Sequence, residues 1–129
     1  GTAAYYEYRA AELEWLKAAV SAPEFTSAPF RICLIHIPTI VGKQCWYTQR
    51  WISENFMPVL NDARIDLMIS GHHHKFVWYP EGSFGNGYPI FVNSNVERLD
   101  VKVTGDGMEL RAFDRGGNGT HSYSISKTK

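Results

Sequence analysis

The sequence has little of several things. It holds two cysteines in 129 residues, too few for a disulfide framework and not spaced as a CxxC pair. It has no net charge, with 13 Lys+Arg against 13 Asp+Glu, so it lacks the broad basic surface that non-specific nucleic-acid binding requires. No apolar run approaches the ~20 residues of a membrane-spanning helix. The longest, Ile32-Cys33-Leu34-Ile35 and Ile65-Asp66-Leu67-Met68-Ile69, have the length of strands. There is no basic-then-apolar leader pattern at the start, where Gly1-Thr2-Ala3-Ala4 has no Met, as expected of a cut within a longer chain. Gly-x-Ser-x-Gly and glycine-rich phosphate loops are also missing, which removes serine-hydrolase and nucleotide-loop chemistry from consideration.

What is present describes one folded domain. The chain is 44% hydrophobic, 14% aromatic and 20% charged, a balance able to form a single core. Leu13, Leu16 and Val20, with Trp15 and Ala19 widening the stripe, predict a helix over Tyr8 to Val20 that Ser21-Ala22-Pro23 ends. Pro23 to Pro29 reads as a loop. Phe30 to Ile37 predicts a strand buried on both faces, and Tyr47 to Leu60 a helix with Trp51, Ile52 and Phe56 inward. Arg64 to Ser70 predicts a second buried strand. The later segments Phe76–Tyr79, Tyr88–Asn93, Arg98–Thr104, Met108–Asp114 and His121–Ser126 read as an antiparallel meander. Gly105-Asp106-Gly107 is expected to make a tight primed hairpin turn through positive φ, and Gly116-Gly117-Asn118-Gly119 a looser one.

The chemistry concentrates on histidine. In an extended backbone, alternate side chains share a face, so His72 and His74 are expected to project together and His73 away, just past Gly71, where the backbone turns. His36 ends the preceding strand. Ligands gather at the carboxyl ends of parallel strands, and neutral imidazole suits zinc, iron, manganese or nickel. If the two strands are parallel neighbours, His36, His72 and His74 converge as metal ligands; the bland alternative is a core histidine and a polar loop. Cys33 reads as a buried small residue, Cys45 as a loop residue, and a disulfide between them is compatible with the sequence. Asp66 reads as a satisfied structural carboxylate, Asn93, Asn95 and Glu97 as a turn, and His121 as a surface residue. Trp46, Tyr47, Trp51, Trp78 and Tyr79 read as core or as contacts to a further segment.

Taken in order, Glu12-x-x-Trp15-Leu16, His36-x-Pro38 and Gly71-His72-x-His74 resemble the C-terminal half of calcineurin-like metallophosphoesterases. The resemblance implies an α/β (α+β) fold, a partial two-sheet β-sandwich flanked by helices, and hydrolysis of phosphoric mono- or diesters. It implies two divalent or transition metal ions (Mn, Fe, Zn or Ni), with His36 and His72 on one and His74 on the other. The family's N-terminal motifs Asp-x-His, Gly-Asp and Gly-Asn-His-Asp/Glu do not precede these residues. Gly105-Asp106 follows the histidines, and Gly85-Asn86 and Gly117-Asn118 are each followed by glycine. The expected partner is therefore a missing N-terminal half bearing the remaining ligands and the catalytic histidine. The chain alone is expected to bind metal weakly and to turn over little phosphate ester. A bare sheet face left by that missing half is expected to favour a homodimer. The competing reading is a non-catalytic β-rich binding or structural module with loop histidines.

Overall fold

The computed structural model describes residues 2–42 and 45–127. Helix α1 spans Thr2–Ser21, a helical turn α2 spans Pro23–Thr26, and α3 spans Tyr47–Asp62. Strands β1 (Ile32–Leu34), β2 (Leu67–Ser70), β4 (Ile90–Val92) and β3 (Val77–Tyr79) form one sheet in that spatial order. Strands β5 (Arg98–Val103), β6 (Gly107–Phe113) and β7 (Gly119–Ser126) form a second. The chain is a mixed α+β fold of two sheets and three helical segments among the described residues.

The four-stranded sheet is the middle layer. Side chains alternate across a strand, so Met68, Ile90 and Val92 face the helices and join Ile52, Phe56, Met57 and Leu60 of α3 in one core. Leu67 and Phe91 face the other way and pack on Met108, Leu110 and Ala112 of β6. Leu13 and Leu16 seat α1 against the helical core. Both faces of the central strands β2 and β4 are thus covered among the described residues, while Leu34 at the edge stays exposed, so no wholly bare sheet face of the kind expected occurs among them. The outer positions of the second sheet are polar and exposed, as at Asp100, Lys102, Glu109 and Arg111. No helix among the described residues is long and apolar enough to cross a membrane.

Several elements differ from expectation for physical reasons. The helix α1 begins well before Tyr8, because Ala3, Ala4 and the residues that follow favour helix and contain no breaker. Trp15 does not widen the buried stripe; it is 66% exposed. Pro23 to Pro29 contains a helical turn, since Pro23 at its first position already has helical φ and the Ser27 hydroxyl donates to the Pro23 carbonyl at 2.7 Å. Strand β1 is shorter than predicted and lies at the sheet edge, with Leu34 76% exposed, so it is not buried on both faces.

The meander is only half antiparallel in the expected way. Strands β5, β6 and β7 pair antiparallel in chain order. Strand β4 instead inserts beside β2 in parallel, with Met68 opposite Ile90, and β3 pairs antiparallel on its outer side. Near-continuous apolar character made β4 suited to the doubly covered position (Ile90, Phe91 and Val92 are all buried). The β5–β6 hairpin does not use left-handed backbone at Gly105, Asp106 or Gly107. The Thr104 hydroxyl organises it instead, accepting from the Asp106 N–H and donating to the Gly107 carbonyl. The second turn does use it: Gly117 has φ 82°, and the Asp114 carboxylate accepts from the N–H groups of Gly116 and Asn118.

Both cysteines are free. Burial pushes the Cys33 thiol up to about 11, so the nucleophilic thiolate is scarce at neutral pH. One thiol per chain is therefore expected to react with a disulfide reagent at pH 8 in the native state, at Cys45, and the second only after denaturation. Leu110 is fully buried between the sheets, and Leu110→Ala is expected to cost ~2–5 kcal/mol in chemical denaturation, the usual range for a core leucine.

Candidate metal and anion site

The parallel pairing of β1 with β2 places the histidines. Ile32, Cys33 and Leu34 lie opposite Leu67, Met68 and Ile69. The ladder continues past the strand ends, with Ile35 N–H donating to the Ile69 carbonyl and Gly71 N–H to the His36 carbonyl, both at 3.1 Å. His36 and the Gly71–His74 segment therefore leave the sheet side by side, at the carboxyl edge where parallel sheets bind ligands.

His36 Nε2 and His72 Nδ1 are 3.4 Å apart, and their rings meet edge to face with centroids 5.2 Å apart. Trp46, exposed, packs edge-on against His72 at 5.8 Å. Two imidazole nitrogens bound to one tetrahedral metal at ~2.0–2.1 Å stand ~3.3 Å from each other. The observed spacing suits that arrangement, and it equally suits a hydrogen bond between opposite tautomers. The pair thus fits as two donors of a metal site. His74 is exposed, and no group of three His, Cys, Asp or Glu side chains close enough to hold a metal occurs among the described residues.

The segment is not extended, so the expected alternation of His72 and His74 does not operate. His72 has φ 72° and His74 φ 58°, left-handed backbone that side chains other than glycine rarely adopt. His73 N–H donates to the Gly71 carbonyl at 2.8 Å, which with His72 at its centre forms a strained γ-turn. The sharp turn is made by histidine, not by Gly71, whose φ is not left-handed. A Cβ at Gly71 would meet the His36 ring at 3.7 Å, an ordinary contact, so Gly71 lies beside that ring without being required there for space. Strain of this kind concentrates at sites of function.

His73, expected to point away and to be exposed or to lie in a shell behind the ligands, is partly buried. Its Nε2 is buried without a partner, as are Ser70 Oγ and Asn93 Oδ1 at the ends of β2 and β4. Burial, then the charges of His72 and Lys75, hold the His73 imidazole below its ordinary value. The turn at Asn93 is as read: its amide donates to the Glu97 carbonyl at 3.0 Å. Asp66 accepts the Arg31 N–H at 2.8 Å, the structural role expected of it. His121 is half-buried rather than a surface residue, stacked on Phe76 with centroids 3.5 Å apart.

One residue gave no signal in the sequence. Arg9 on α1 is 4% exposed. Its Nη2 donates to the Tyr5 hydroxyl and to Thr48 Oγ1, each at 2.6 Å, and its guanidinium lies 4.1 Å from the Tyr5 ring centroid. That cation holds the exposed Tyr5 hydroxyl below the usual phenol value. A cavity of ≈ 240 Å³ is lined by both Arg9 and His36.

No family model matches the chain, and no curated protein matches it. A solved structure described as "GAP50 the anchor in the inner membrane complex of Plasmodium" matches with a TM-score of 0.68 at 14% identity. The match covers 91% of this chain and 42% of that one, so the chain spans less than half the length of this structural neighbour. At that identity the likeness is one of fold.

The His73 shift carries a sign. A histidine kept neutral in the fold binds fewer protons there than when unfolded, so its contribution is present above the unfolded value and is lost as pH falls from that value through the lower folded one. Proton NMR is expected to show His73 titrating below the ordinary imidazole value. Stability is expected to fall from neutral pH downward, less steeply in His73→Phe.

Proposed function

We propose that the chain supplies the histidine-bearing C-terminal part of a calcineurin-like metallophosphoesterase. The parent protein hydrolyses phosphoric mono- or diesters. The observation that carries this reading is the His36–His72 pair, 3.4 Å apart at the carboxyl ends of parallel neighbouring strands. The ordered Trp15-Leu16, His36-x-Pro38 and Gly71-His72-x-His74 motifs support it. So does the fold likeness to a chain more than twice as long.

In this reading His36 Nε2 and His72 Nδ1 hold one ion, and His74 contributes to a second. Such ions, when bound, act as Lewis acids and lower the pKa of water for in-line attack on phosphorus. The strand ends hold the two rings edge to face, and Trp46 covers one flank of His72.

A second reading is a non-catalytic binding or anchoring module. It is favoured by the absence, among the described residues, of any three-donor group that could hold a metal. The structural neighbour's description as an anchor points the same way.

Calorimetric titration with Zn²⁺ and Mn²⁺ separates the two. Weak binding is expected, reduced at least about tenfold in His36→Ala or His72→Ala, because a site with two protein donors depends on each. Binding unchanged in both variants sinks the metal reading. The chain alone is expected to show no turnover of a chromogenic phosphodiester with manganese. Turnover lost in His72→Ala or His74→Ala would show instead that the chain is catalytically complete.

A further inference from the structure

Arginine stays protonated in proteins, and a buried charge needs a counter-charge or rich hydrogen bonding. Arg9 has neither in full. Its two side-chain hydrogen bonds go to neutral hydroxyls from a single nitrogen. Its Nη1 is buried with no partner, and no carboxylate among the described residues forms an ion pair with it. Aromatic rings take the place of an acid: Tyr5, Trp51 and Tyr47 have centroids 4.1, 5.4 and 5.9 Å from the guanidinium carbon. Arg9 nonetheless lines a cavity of ≈ 240 Å³ whose walls include His36, Thr48 and Trp51. Glu12, exposed, lies on the same cavity and is the one carboxylate that lines it.

We propose that this cavity, between α1, the end of β1 and α3, is an oxyanion site in which Arg9 binds a phosphoryl group carried on an aromatic or apolar alcohol. The unpartnered Nη1 of the guanidinium supplies charge-assisted N–H donors for a phosphate oxygen. Thr48 Oγ1, already bound to the same guanidinium, presents a hydroxyl beside it. Trp51 and Tyr5 offer apolar faces to the ester group. The aromatic ring contacts hold the cation while no anion is bound, and an anion would give the buried Nη1 the partner it lacks. The assignment of phosphate over other oxyanions rests on the proposed phosphoesterase reading; the anion site itself does not.

The test uses the full chain without added metal and reads thermal midpoint and amide NMR shifts during titration. The probes are inorganic phosphate and phenyl phosphate, with acetate at matched ionic strength as control. Both phosphates are expected to raise the midpoint and to shift the Thr48 amide and the Trp51 indole N–H. Phenyl phosphate is expected to bind more tightly than inorganic phosphate. Arg9→Gln is expected to weaken both by at least about tenfold, the value of a charge-assisted pair, while Arg50→Gln on the exposed side of α3 leaves them unchanged. Glu12→Gln is expected to tighten both by removing a like charge.

Equal binding by wild type and Arg9→Gln, or shifts away from Thr48 and Trp51, overturns the site. Acetate matching phosphate overturns the phosphate assignment, and equal affinity for the two phosphates overturns the aromatic wall. If Arg9→Gln does not fold, the wild-type shift map and Glu12→Gln decide. The metal reading fails or stands separately, because His36→Ala removes metal binding while the phosphate titration is run without metal.

Discussion

The parallel pairing of β1 on β2 is the constraint on which the candidate site depends. Three residue pairs hold it within the strands, and two further hydrogen bonds carry it to Ile35 and His36. Parallel strands share a carboxyl edge, so pairing brings together residues 36 positions apart that would otherwise have no reason to meet. A one-residue slip would turn every side chain of β1 to the opposite face and carry His36 away from Gly71. The register is secured from the other end by Asp66, which accepts the Arg31 N–H while its own N–H donates to the Arg31 carbonyl. A structural carboxylate at one end of the strand pair thus sets a histidine pair at the other.

The same edge carries the molecule's least comfortable chemistry. Two histidines in left-handed backbone, and three buried polar atoms without partners on Ser70, His73 and Asn93, lie at the ends of β2 and β4. The layers beneath are complete: Leu67 and Phe91 are sealed by β6, and Met68, Ile90 and Val92 by α3. A well-packed middle sheet tolerates strain at its rim because the strain does not reach the core. This division, stable layers below and unsatisfied groups above, is the ordinary arrangement of a ligand-binding edge in an α/β sheet.

Exposed apolar residues follow a different map. They gather on α1, at Tyr5, Tyr6, Tyr8 and Trp15, and near the edge strand at Leu34, Trp46 and Tyr47. On the second sheet Val103 is exposed as well. The edge of β1, the aromatic residues of α1 and the Arg9 cavity occur around the same two elements, which links the unpaired cation to the least covered part of the molecule.

The sequence by itself determined most of the helices and strands, because periodicity is a local property. Leu13 and Leu16 declared a helix face, Tyr88–Asn93 a strand, and the alternation of Leu99 and Val101 with Asp100 and Lys102 a half-wet one. His36, His72 and His74 could be named as candidates from residue type and position after strands. Three matters were decided by tertiary structure alone. That β4 lies parallel beside β2 depends on which buried strand reaches the centre of the sheet, and local pattern does not encode it. That His72 and His74 leave the extended state, placing His73 partly inside, follows from the turn closing on Gly71 over the strand ends. That Arg9 is a buried, unpaired cation follows from α1 packing on α3: along the helix it is one charged residue among several, and only the meeting with Thr48 and Trp51 removes it from water.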